Sequence, residues 1–219
     1  MRRVLSLLGM VLLSVLITAC GGGDDSSPAR LRVLHASPDA PNVDVYVDGT
    51  KVLNNVPYPT VSSYLNVAAG MREIKVNAAG TTTTVIDVKP NLSSGAAYTA
   101  MAATFVANIQ ALLATDETSA APAGQARVRV IHASPDAGPV DILVNGQVVL
   151  SNVPFGTISS YLTLPVGTYN VQVNAAGTST TAIQASLTVS GGMNYSAVAI
   201  GSVKTSPTNP LTLKVLADG

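Results

Sequence analysis

The 219-residue chain has one cysteine, no tryptophan, two phenylalanines and a charged fraction of only 11%. A lone cysteine excludes an internal disulfide, so stability has to come from packed apolar cores. Without tryptophan the chain lacks a common sugar-binding platform. Charge is scarce beside the roughly 25% of ordinary soluble domains, and the formal net charge is zero. That balance gives no electrostatic footprint for nucleic acid. There is no Gly-rich phosphate loop, no Cys/His cluster and no convincing pair of catalytic carboxylates. No segment beyond residue 20 carries the period of an amphipathic helix. Thr, Ser, Ala, Val, Gly and Pro dominate instead, which is an all-β composition.

The first residues do carry a signal. Arg2 and Arg3 precede an apolar run from Val4 to Ile17, followed by Ile17-Thr18-Ala19-Cys20. The run fits a secretory h-region and falls short of the roughly 20 residues that span a bilayer. Small residues before a cysteine resemble a lipobox. Residues 1–19 are therefore expected to be a cleaved signal peptide, with Cys20 carrying a diacylglycerol and an N-acyl group. Losing Arg2 and Arg3 would take the net charge to about −2. Attachment would rest on the acyl chains, because two or more give stable anchoring. A lipobox implies the outer face of the plasma membrane in a monoderm. In a diderm the outer membrane is expected, since Gly21 and not Asp follows Cys20. Residues 20–29 read as the lipidated cysteine and a flexible tether.

An offset of 97 positions aligns Arg30–Ala102 with Arg127–Ala199 without a gap, and about half of the paired residues are identical. That period is too long for a solenoid unit, so each copy is expected to form its own domain. The reading is a first repeat at 30–114, a linker at 115–126 and a second repeat at 127–219. Apolar residues alternate with polar ones within each copy. Val43, Val45 and Val47 lead into an Asp48-Gly49 turn, and Val140, Ile142 and Val144 into Asn145-Gly146, both hairpin signatures. Further runs at 61–67, 72–77, 82–88, 98–106 and 109–114 complete seven or eight short strands. This predicts two tandem immunoglobulin-like antiparallel β-sandwich domains.

The segment Val-Arg-Val-Ile-His-Ala-Ser-Pro-Asp-Ala from Val128, the hairpin after it, Ser159-Ser160-Tyr161-Leu162, and Pro165, Gly167 and Tyr169 resemble the Domain of Unknown Function 4397 (DUF4397) of bacteria and archaea. The resemblance occurs twice and covers residues 30–219. The first copy departs from it at Ala68–Arg72, where the proline and the tyrosine are missing. It implies secreted or surface-attached β modules with no assigned chemistry.

The candidate site residues lie in the two His-Ala-Ser-Pro-Asp motifs, which hold the only histidines. A hydrolytic triad of His35, Ser37 and Asp39 is disfavoured, because a triad needs side chains converging from separate segments. A metal reading groups His35, Asp39 and Asp44, with His132, Asp136 and Asp141 as the twin set. Such a mixed N/O shell would suit zinc or manganese better than calcium. The structural reading is that His35 shares parity with Leu31 and Val33 and points into the core, while Ser37, Asp39, Ser134 and Asp136 form turns. Tyr64/Tyr161 and Tyr98/Tyr195 recur at the same offset and read as core or corner residues. The Thr-rich tips at 81–84 and 178–181 read as exposed strand starts. The expected function is a non-enzymatic envelope lipoprotein without a dissociable cofactor, bound to a membrane through its lipid and engaging an envelope protein or cell-wall partner. The alternative is an ion- or small-ligand-binding lipoprotein using the two turns.

Overall fold

The computed structural model describes residues 27–203 and 208–218, and Cys20 and the expected signal peptide lie outside them. The described residues form eighteen strands and a single 3-10 turn at Val106–Asn108, and no helix among them is long and apolar enough to cross a membrane. The first repeat contains β1 (Ala29–His35), β2 (Val43–Val47), β3 (Thr50–Val56), β4 (Leu65–Val67), β5 (Gly70–Met71), β6 (Ile74–Ala78), β7 (Thr84–Val88), β8 (Asn91–Leu92), β9 (Ala97–Ala103) and β10 (Gln110–Asp116). The second contains β11 (Gln125–His132), β12 (Val140–Val144), β13 (Gln147–Val153), β14 (Leu162–Pro165), β15 (Gly167–Ala175), β16 (Thr181–Val189), β17 (Asn194–Ile200) and β18 (Thr212–Asp218).

Each repeat is a β-sandwich. In the first, a sheet of order β10-β9-β1-β4 faces one of order β3-β2-β6-β7, with β5 and β8 as a small ribbon beside them. The second repeats this as β14-β11-β17-β18 against β13-β12-β15-β16. Most pairs are antiparallel, but β1 runs parallel to β9 and β11 parallel to β17. Alternation places Leu31, Val33, Val43, Val45, Ile74, Val76 and Ile86 between the sheets of the first copy. Val128, Val140, Ile142, Val171, Val173 and Ile183 do the same in the second.

The copies differ along one edge. The nine-residue pair β15 and β16 is continuous, with Tyr169 opposite Leu187. In the first copy the matching positions are Arg72 and Pro90, and Pro90 has no N–H to give. The ladder breaks there into β6/β7 and β5/β8. Val61–Tyr64, expected as strand, is instead a loop touching β1 through one bridge between Val61 and Leu34.

A third core lies between the repeats. Leu34, Ala36, Met101, Ala103 and Ala114 from the outer face of the first sheet pack against Ile131, Ala133, Val198, Ile200 and Leu216 of the second. All ten are at most 3% exposed. β1 is therefore buried on both faces, one inside its own sandwich and one against its duplicate.

The expected linker is shorter at both ends, since Thr115 and Asp116 belong to β10 and Gln125 and Ala126 to β11. The chain between them is held on the second repeat, where Asn194 donates to the carbonyls of Glu117 (3.0 Å) and Ser119 (2.8 Å), and Ala121 N–H donates to Gly192 (3.0 Å).

Candidate functional site

Both histidines end a strand with the ring turned inward, as parity predicts. His35 is fully buried and His132 is 1% exposed. His35 Nε2 lies 3.0 Å from the Pro41 carbonyl and His132 Nε2 lies 2.9 Å from that of Gly138. A carbonyl only accepts, so each Nε2 carries the proton. The Ser134 N–H donates to His132 Nδ1 at 3.4 Å, which suits the same neutral tautomer. Each ring also meets an aromatic edge-to-face, Tyr58 at 6.0 Å and Phe155 at 6.3 Å. Tyr58 and Phe155 reach on to the core between the repeats.

Burial lowers the pKa of both histidines, and the carbonyl bond only partly offsets it. The folded state thus binds fewer protons than the unfolded chain below about pH 6.5. Stability is fully present above that pH and falls as pH drops through it. Each imidazole contributes a slope of at most about 1.4 kcal/mol per pH unit. A His35→Gln, His132→Gln double variant is expected to flatten the fall in urea midpoint between pH 7.5 and 5, and an unchanged fall would mean that other groups control it.

The remaining motif residues go to separate places. Asp39 accepts the Val106 N–H at 2.8 Å and the Ser37 hydroxyl at 3.5 Å. Asp136 accepts the Val203 N–H and the Ser202 hydroxyl, both at 2.8 Å. Ser134 donates to the Gly201 carbonyl at 2.8 Å. These bonds tie the turn after the first strand of each copy to the loop before its last. The Asn209 amide of the second copy crosses to the Pro38 carbonyl of the first at 2.6 Å.

Asp44 and Asp141 serve the other sheet. Asp44 accepts the N–H groups of Asn55 (2.7 Å) and Gly80 (3.2 Å) and an ion pair from Lys51 at 2.6 Å. Asp141 accepts those of Asn152 (2.7 Å) and Gly177 (2.9 Å). Asn55 and Asn152 have φ of 53° and 51°, a left-handed conformation that Asn tolerates. The Lys51 bond, then the Asn55 N–H, bring the Asp44 carboxyl down to about 2. The backbone donors hold Asp141 low as well. The proposed grouping of His35 with Asp39 and Asp44 is therefore not formed, nor is its twin. No three His, Cys, Asp or Glu residues among the described ones come together to hold a metal. His35 is bonded to a backbone carbonyl and not to Ser37, so the triad is not assembled either.

The densest polar cluster is one that residue patterning did not single out. Arg32 and Arg129 sit in the third core, 5% and 2% exposed, and the side chains of Asp116 and Asp218 are fully buried. Each arginine crosses to the other repeat, Arg32 pairing with Asp218 and Arg129 with Asp116. Arg32 also donates to the Ala217 carbonyl (2.6 Å) and to Thr99 (2.8 Å). Arg129 matches it with Thr115 (2.6 Å) and Ser196 (2.8 Å). The Thr99 and Tyr64 hydroxyls donate hydrogen bonds to Asp116 at 2.7 and 2.6 Å. Ser196 and Tyr161 do the same to Asp218 at 2.7 and 2.6 Å. The tyrosine rings lie under the guanidinium groups at 4.8 and 4.9 Å. Burial, reinforced by the carboxylate acceptors, pushes both phenols well above their usual range. The quartet is neutral overall and approximately two-fold symmetric. One signal could have found it: an arginine flanked by apolar residues in the first strand of both copies.

These features define a tandem β-sandwich protein whose two copies are joined face to face through a buried, pseudo-symmetric core, with His-Ala-Ser-Pro-Asp turns bracing each sandwich. The chain belongs to the family described as domain of unknown function (DUF4397), whose model matches residues 29–142 and again 126–218. No curated protein matches it significantly. Among solved structures it is similar to a leucine-rich repeat protein from Bacteroides thetaiotaomicron, at 15% identity and a TM-score of 0.21. That alignment covers 86% of this chain and 27% of the other, so this chain spans about a quarter of that protein's length.

Proposed function

We propose that the protein is a non-enzymatic lipoprotein of the cell envelope, anchored through acyl groups on Cys20. Its two fused sandwiches present Thr/Ser-rich surfaces to an envelope protein or cell-wall partner. The observation that carries the reading is the engagement of the motif residues. Both histidines, Ser134, Asp39, Asp44, Asp136 and Asp141 hold backbone or neighbouring side chains of their own fold. They brace the fold and do not converge on a vacant reacting position. The sequence before Gly21 supports the anchor, and Gly21 itself supports the outer membrane in a diderm.

The anchor is tested by metabolic labelling with a palmitate analogue in cells producing the full chain. Label at the size of the processed protein is expected, and Cys20→Ser should abolish it and leave the uncleaved precursor. Labelling that survives Cys20→Ser would reject the anchor. In-cell cross-linking then tests the partner, and a protein recovered only as itself would remove the protein-partner half of the proposal.

A further inference from the structure

A cavity of about 310 Å³ lies between the two sheets of the first sandwich, where the edge strands β7 and β10 approach each other. Val33, Ile74 and Ile86 form part of its wall, Ala111 and Leu113 one lip, and Lys89 and Pro90 the other. Lys89 is the one charged residue among those lining it.

The duplication explains the space. Pro90 stands where the second copy has Leu187, Arg72 where it has Tyr169, and Ala111 where it has Leu213. In the second copy Leu187 is core and Tyr169 and Leu213 pack against that core. In the first, Arg72 turns outward to Asp48 at 3.0 Å, while proline and alanine are too small to replace the two leucines. Interiors normally leave few voids larger than a water molecule, and apolar voids stay dry and accept apolar guests. This volume reaches the range of small-molecule sites, roughly 300–1,000 Å³.

Charge at the rim selects the polar end of a guest. Lys89 Nζ lies 3.5 Å from Glu73, but Lys75 holds the other oxygen of that carboxylate at 3.0 Å. Lys89 can therefore leave Glu73 without stranding it, and its side chain is 64% exposed. We infer that this cavity binds a single-chain aliphatic carboxylate, with the tail between the sheets and the carboxylate on Lys89. No residue of the His-Ala-Ser-Pro-Asp turns lines this cavity.

Calorimetric titration of dodecanoate, below its micellar concentration, into the chain from Gly21 onward tests it, because that chain contains every described residue. Saturable binding of one molecule per chain is expected. Ala111→Leu, which restores the second copy's side chain, should weaken it by at least about tenfold. Lys89→Glu should weaken dodecanoate about tenfold and leave dodecanol unchanged. Val88→Phe fills the cavity from the opposite sheet and replaces Ala111→Leu if that variant does not fold. Absence of saturable binding, or equal affinity in the filled variants, would overturn the site. Insensitivity of dodecanoate to Lys89→Glu would overturn its assignment to a carboxylate.

Discussion

Asp218→Ala is expected to lower stability by about 3–5 kcal/mol, the usual consequence of stranding one partner of a buried ion pair. Arg32 would then lose its close partner and keep only the longer 3.7 Å contact with Asp116 in the third core, and Ser196 and Tyr161 would lose the acceptor for their hydroxyls. Small domains have only about 5–15 kcal/mol in total, so the urea midpoint should fall steeply. Asp116→Ala should behave alike, because Arg129, Thr99 and Tyr64 depend on it in the same way. Adding Arg32→Met to Asp218→Ala should cost less than Arg32→Met alone, since the charge it removes has already lost its close partner and keeps only Asp116 at 3.7 Å. The contrast is a surface pair such as Arg72 with Asp48, where about 0–1 kcal/mol is normal. A change below about 1 kcal/mol in Asp218→Ala would show that the quartet does not hold the repeats together.

One repeat expressed alone should dimerise. A chain of residues 27–119 exposes Leu34, Met101 and Ala114, and leaves Arg32 without Asp218. It also carries Asp116, the counterpart of Asp218, on the same face. Two copies can therefore rebuild the interface with each other, Arg32 of one meeting Asp116 of its partner, because the intramolecular arrangement is already close to an isologous two-fold contact. Sedimentation should show a dimer at micromolar concentration, and Leu34→Glu should abolish it by placing an unpaired charge in the apolar interface. A soluble, folded monomer at that concentration would show that the third core contributes little to holding the copies together. The same symmetry bears on function, since any surface the protein offers a partner must lie away from this face.

Much of the fold was legible because a strand reports its own faces. The period-two runs around Val43–Val47 and Val140–Val144, each closed by Asp-Gly or Asn-Gly, became hairpins. The parity of Leu31, Val33 and His35 placed the imidazole in the core, where burial keeps it neutral. Departures came where a local signal met a longer-range demand. The metal grouping failed because Asp44 closes its own hairpin through Asn55 while Asp39 reaches back to Val106. Asp116 reads as linker because the Asp-, Glu-, Ser-, Ala-, Pro- and Gly-rich stretch it opens has no apolar period, and the longer loop before the last strand of the second copy hides its match. The offset that aligns the copies through Ala199 no longer matches Asp116 with Asp218.

The duplication, the strand period, the turns and the family are readable along the chain, because they depend on residues close together in it or on one copy matching the other. The burial of β1 on both faces, the pairing of each arginine with the aspartate of the other repeat, and the cavity in the first sandwich where Pro90 and Ala111 replace Leu187 and Leu213 emerge only on folding. Those facts depend on distance in space between residues as far apart in sequence as Arg32 and Asp218, and on volumes summed across two sheets, neither of which leaves a periodic trace in the chain.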